Sequence, residues 1–133
     1  MHGTHLIADL HDCRCAPEFL LDAAGLEAFC VEACQRNGLT VVGRLFHPFV
    51  DATGNRAGVT GTVVLAESHV AVHTWPEISA VTLDVYVCNY SADNSEHAQI
   101  LFQEIITAFE PSRTERIEIE RGHLGAREQA LDD

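Results

Sequence analysis

Not one lysine occurs among the 133 residues; the permanently cationic side chains are all arginine. An enzyme that handles amines through pyridoxal phosphate holds that cofactor as a Schiff base to its own lysine, so this route is closed here. No run approaches the roughly 18 apolar residues of a membrane-spanning helix. The opening Met-His-Gly-Thr-His carries no basic segment ahead of an apolar one, so no secretory signal is expected and the cytoplasm is the expected compartment. Basic charge is scarce as well: the formal net charge is −12. That excludes nucleic acid and anionic membrane as expected partners, since both need a basic patch, and it suits a cationic small-molecule substrate. Repeats, low-complexity tracts and linkers are absent, and 47% of the residues are hydrophobic, which predicts one folded domain over residues 1–133.

Five cysteines are present: Cys13, Cys15, Cys30, Cys34 and Cys88. An odd number without a signal peptide predicts reduced thiols rather than a disulfide framework. Cys30 and Cys34 are four apart in a helical stretch, and Cys13 and Cys15 flank one residue of a loop. No second pair at regular ligand spacing follows, so they read as small apolar side chains and no metal is expected.

Strand-like runs appear at residues 6–10, 39–46, 59–65, 70–75, 81–87 and 113–120. The last alternates Arg116, Ile117, Glu118, Ile119 and Glu120, as in an antiparallel sheet with one wet face. A helix is expected from Pro17, with Leu20, Leu21, Ala24, Leu26, Phe29, Cys30 and Ala33 on its apolar face and a stop at Asn37-Gly38. A second is expected from a cap at Asp93 or Ser95 to Phe109, with Ile100, Leu101, Ile105 and Phe109 inward and Pro111 after its end. The polar tail from Gly125 is expected to fray. The order β-α-β-β-β-β-α-β predicts an α/β (α+β) two-layer sandwich. Its sheet is mostly antiparallel, with two helices on one face and the other face left for a partner.

Residues 66–77, Ala-Glu-Ser-His-Val-Ala-Val-His-Thr-Trp-Pro-Glu, concentrate the chemistry. They bring a hydroxyl, Ser68, and two imidazoles, His69 and His73, into one stretch, with the Cys88 thiol in the next strand. Taken alone, Ser68 reads as a surface hydroxyl, Cys88 as a buried strand residue and Glu77 as a turn residue. Phe49 and Trp75 read equally as core or as stacking platforms. His69 and His73, four apart on a strand, face one side, but no carboxylate or third histidine stands at ligand spacing, so no metal pair is expected.

The string Glu-Ser-His-x-x-x-His-Thr-Trp-Pro-Glu resembles the prokaryotic S-adenosylmethionine decarboxylase family, small self-cleaving proenzymes that depend on a pyruvoyl group. Residues 5–10, 58–64 and 84–88 resemble the family's opening strand, the run into its cleavage site and the strand of its catalytic thiol. The likeness covers roughly residues 3–121. It implies cleavage between Glu67 and Ser68 into chains 1–67 and 68–133, with Ser68 converted into a pyruvoyl group that forms the Schiff base to substrate. It further implies His73 as acid/base in processing, Thr60 as a processing hydroxyl and Cys88 as the proton donor in decarboxylation. Glu77 is implied in binding the ribose hydroxyls, with Phe49 and Trp75 as candidates for stacking. Decarboxylation of S-adenosylmethionine for spermidine synthesis, in a homodimer with active sites near the subunit interface, follows from the same likeness. The chain departs from the family at Ile78-Ser79-Ala80-Val81, at Asn89 and in the longer stretch 51–57, changes that bear on the substrate pocket. They keep open a pyruvoyl decarboxylase of arginine or ornithine. A non-catalytic subunit and a Cys/His metal module are the readings from other classes.

Overall fold

Alternating apolar residues build most of this molecule. In the computed structural model, which describes residues 2–89 and 93–124, six strands form a single sheet in the order β2-β3-β4-β5-β1-β6. They are β1 (Gly3–Cys13), β2 (Val41–Val50), β3 (Arg56–Leu65), β4 (Ser68–Trp75), β5 (Ala80–Cys88) and β6 (Pro111–Arg121). Every neighbouring pair is antiparallel. Helix α1 (Ala23–Arg36) packs on β2 and β3, and α2 (Ser95–Phe109) packs on β1 and β5. The expected sandwich and element order are therefore observed.

The period of two sorts each strand into a helix-facing set and an open set. Leu6, Ala8 and Leu10 of β1, Val70, Val72 and Thr74 of β4, and Val81, Leu83, Val85 and Val87 of β5 are buried. Opposite them α2 contributes Ala98, Leu101, Phe102, Ile105, Ile106 and Phe109. Phe102 and Phe109 are fully buried, and each stabilises the fold by about 2–3 kcal/mol through the apolar surface it removes from water. Ile100 falls outside this stripe and is exposed, correcting its expected inward position: its neighbours at 98, 101, 102 and 105 define a face centred away from it.

Helix boundaries also differ from expectation. Pro17–Leu20 forms a separate 3-10 turn, and α1 begins only after Asp22, whose Oδ1 accepts from the Gly25 N–H at 3.0 Å. Helix α1 ends as expected, with Asn37 at the cap and Gly38 at φ 75°. Asn94 rather than Asp93 or Ser95 caps α2, while Asp93 Oδ1 accepts from the Ser95 N–H. The tail from Gly125 lies outside the described residues. All five cysteines are free and buried. Among the described residues no helix is long and apolar enough to cross a membrane.

The open face is not a solvated polar surface. Leu45 of β2 and Ile117 and Ile119 of β6 stand on it, exposed, beside His5, His69, His73, Asp84 and Tyr86.

Candidate active site

Two clusters stand at opposite ends of β4, and the second lies on the open side of the sheet. The first sits where β3 turns into β4. Leu65 pairs with Ser68, leaving Ala66 and Glu67 as a two-residue turn. Ser68 Oγ accepts from the backbone N–H of Cys88, at 3.1 Å, because Cys88 closes the neighbouring strand β5. Cys88 is buried, and its side chain neighbours Tyr86. Burial first, and then the Cys88 thiol, push the Tyr86 hydroxyl above the usual phenol value, while the Arg121 guanidinium 4.6 Å over the ring pulls it down.

The second cluster lies at the far end of β4. Thr60 and His73 are direct cross-strand partners, and Thr60 Oγ1 stands 3.0 Å from His73 Nδ1. Beyond them the ladder stops, because the Val59 N–H goes to Thr74 Oγ1 (2.8 Å) and Thr74 Oγ1 in turn donates to the Leu20 carbonyl (2.7 Å). The strand ends open into a pocket of about 290 Å³ lined by Phe49, Ala57, Gly58, Thr60, His73, Thr74, Trp75 and Glu77. Gly58 is required there: its φ is 139°, and a Cβ would stand 2.8 Å from the Thr74 carbonyl oxygen. Phe49 and Trp75 are 46% and 45% exposed, which decides against core packing and leaves both rings free for contact. Glu77 occupies the 3-10 turn Pro76–Ile78, so it is both a turn residue and a pocket wall. A second hollow, shared through Ala57 and Glu77, is walled by Asp51 and Arg56 of the long 51–57 stretch. Arg56 there is held by Glu18 through two 2.6 Å hydrogen bonds, which keep the Glu18 carboxyl below its usual value.

Ser68 with Cys88, and Thr60 with His73, Glu77, Phe49 and Trp75, are thus brought together, but the two groups are not brought to each other. Five residues separate Ser68 from His73 along one extended strand, about 16 Å at roughly 3.3 Å per residue.

A third group was not legible in the sequence. His5 of β1 and Asp84 of β5 reach His69, although neither lies at ligand spacing along the chain. His5 Nε2 and His69 Nε2 stand 2.9 Å and 3.2 Å from the same oxygen, Asp84 Oδ2. Spacing along the chain does not reveal this group; cross-strand register assembles it. Its polarity does not favour a cation. Arg121 Nη1 donates to His5 Nδ1 at 3.1 Å, and a guanidinium can only donate. His5 therefore carries its proton on Nε2, toward Asp84, whereas a metal-bound imidazole needs that nitrogen bare and an acceptor at the other. His69 and His73 both lie on the open side, as expected, but do not converge.

Comparison with known proteins bears on this arrangement. The family model described as S-adenosylmethionine decarboxylase matches residues 4–122. The S-adenosylmethionine decarboxylase proenzyme of Thermodesulfovibrio yellowstonii is 35% identical over 129 residues, covering 97% of this chain and 87% of that protein. That of Methanococcus vannielii is 35% identical over 122 residues, covering 90% and 89%. The crystal structure of the adenosylmethionine decarboxylase from Aquifex aeolicus VF5 superposes with a TM-score of 0.76 at 29% identity, covering 92% of each chain.

Proposed function

Since the chain belongs to the S-adenosylmethionine decarboxylase family, we propose that it is a self-cleaving decarboxylase of S-adenosylmethionine that works through a pyruvoyl group made from Ser68. It supplies the aminopropyl donor for spermidine synthesis, acting in the cytoplasm. The observation that carries the reading is the hydrogen bond from the Cys88 amide to Ser68 Oγ at the first position of β4. It ties the hydroxyl next to the Glu67 carbonyl to the strand that ends in a thiol.

Processing begins as the Ser68 hydroxyl attacks the Glu67 carbonyl carbon. The peptide C–N bond gives way to an ester, and the proton ends on the freed nitrogen. Loss of the Ser68 Cα proton then expels the Glu67 carboxylate. The resulting dehydroalanine takes up water and releases ammonia, leaving a ketone at position 68. Each proton transfer needs an acid/base within hydrogen-bond reach, and His73, aligned by Thr60, is the imidazole for it. The residues present fit such a ketone: the Cys88 N–H is a donor that suits a ketone oxygen as well as a hydroxyl. A pyruvoyl group at position 68, held by the Cys88 amide, would supply a carbonyl for the substrate amine and an electron sink for loss of the substrate carboxyl group. Cys88 returns a proton to the substrate α-carbon. Glu77 accepts from the ribose hydroxyls, acceptor-only when ionised, and Phe49 and Trp75 offer their exposed rings to the adenine and sulfonium.

The separation of about 16 Å between Ser68 and His73 supports a reaction centre shared between two chains, since proton transfer needs about 3 Å. We infer that the active protein is a homodimer joined through the open sheet faces, so that Ser68 and Cys88 of one copy meet Thr60, His73 and Glu77 of the other. Exposed Leu45, Ile117 and Ile119 on that side support it. The direct test is a denaturing gel of purified protein: two chains for wild type and one for Ser68→Ala. Decarboxylation of S-adenosylmethionine, with arginine and ornithine as controls, tests the substrate. An uncut yet active wild-type chain would contradict the scheme.

A further inference from the structure

The turn between β3 and β4 holds a residue in a conformation it does not favour. Glu67 has φ 65°, in the left-handed region that glycine or asparagine ordinarily fills at the second position of a tight turn. Its Cβ gains nothing from burial there, since the residue is exposed. What imposes the conformation is the fixing of both flanks. The Ala66 N–H is bonded to the Thr40 carbonyl at 3.0 Å, and Leu65 is paired with both Ser68 and Val41. On the other side Ser68 is held to β5 through the Cys88 amide. Between these anchors the two-residue turn closes with Glu67 in the left-handed region. An over-determined outlier of this kind is how folds store strain at working sites.

The strained residue carries the carbonyl of the bond that the reading above cuts, and the inference rests on that reading. We propose that Glu67 is a positioning residue for self-cleavage, its imposed left-handed backbone raising the energy of the intact turn and relaxing as the acyl shift proceeds. In that shift the new bond runs from Ser68 Oγ to the Glu67 carbonyl carbon, the broken bond is the amide C–N, and the hydroxyl proton moves to the nitrogen. Atoms and electrons balance without any outside reactant. Once esterified, Glu67 hangs from a side chain instead of the backbone. The constraint between Ala66 and Ser68 is lengthened, and the residue can return to negative φ. The side chain of residue 67 then matters through its Cβ, not through its carboxylate.

Four substitutions in the full-length chain separate the two possibilities. Followed as the appearance of two chains on a denaturing gel, cleavage slows about fivefold in Glu67→Gly, which adopts positive φ without strain, and by less in Glu67→Asn. Glu67→Ala and Glu67→Gln keep the Cβ and stay within about twofold of wild type. A second measurement is independent of cleavage. In the uncuttable Ser68→Ala background, Glu67→Gly raises the thermal midpoint, because the strain it removes is present only in the folded state. Cleavage of Glu67→Gly at the wild-type rate, equal slowing by Ala and Gln, or an unraised midpoint would each overturn the proposal while leaving self-cleavage intact. A wild-type chain that is never cut defeats the self-cleavage reading and this inference with it.

Discussion

Pairing two separately disabled chains measures where the acid/base of processing comes from. One chain carries His73→Ala, which removes the imidazole beside Thr60; the other carries Cys88→Ala, which removes the thiol of the residue whose backbone amide binds Ser68. Within one chain Ser68 and His73 stand about 16 Å apart along β4, five times the reach of a proton transfer. If two copies complete each other's sites across the sheet faces, a mixed dimer has one site lacking both groups and one site lacking neither. Co-expressed with different tags and isolated through both, it should show about half the turnover of wild type per dimer, from one whole site in two. The His73→Ala chain, uncut by itself, should be cut in the mixed dimer by the partner's imidazole. Sites built within single chains predict something different: every site in the mixed dimer lacks one group, and turnover stays at the level of the separate variants. Background turnover in a mixed dimer verified by both tags would refute the shared site, as would an uncut His73→Ala chain within it.

Three further outcomes follow from the geometry. Cys88→Ala should still appear as two chains but lose about 10²-fold or more in turnover, because reprotonation at the substrate carbon loses its acid; a single-turnover decarboxylation assay reads this. Thr60→Val should slow processing by about tenfold, and Thr60→Ser should restore it, since only the hydroxyl faces His73 Nδ1 at 3.0 Å. The third outcome concerns alkaline stability. Burial pushes the Cys30 and Cys34 thiols up to about 12 from the ordinary 9.0. These groups stay protonated in the folded state while the unfolded chain ionises, so stability is full below about pH 9 and falls as pH rises from there toward 12. Urea titrations at pH 8 and pH 10.5 should show the midpoint dropping, and iodoacetamide at pH 8 should spare both thiols until the protein unfolds.

Element order along the chain and the motif-bearing residues were legible because side chains alternate between faces with a period of two, and burial follows it in β1, β4 and β5. In β6 the alternation of Arg116, Ile117, Glu118 and Ile119 reads off its two faces directly, and Val70–Val72 and Val81–Val87 do the same around the motif. The same period shows that His69 and His73 share a face, yet it says nothing about reach, so the division of the site along β4 emerges only from distance. Helix α1 began later than its apolar pattern suggested because Asp22 caps it and Pro17 heads a separate turn, a choice made by local hydrogen bonds. The His5, His69 and Asp84 group was hidden for another reason: its members meet through the β1–β5 and β4–β5 registers, between residues up to 79 positions apart. Phe49 and Trp75 could be assigned to a pocket only once the end of the β3–β4 ladder was seen to open there.

The claim beneath all of this is that residue 68 ceases to be serine. Intact-mass spectrometry of freshly purified, catalytically competent protein addresses it without any assay. Two species are predicted, one ending at Glu67 and one beginning at position 68, the second lighter than its sequence mass by one ammonia. A single full-length species in active material, or a second chain that begins with unaltered serine, would contradict it.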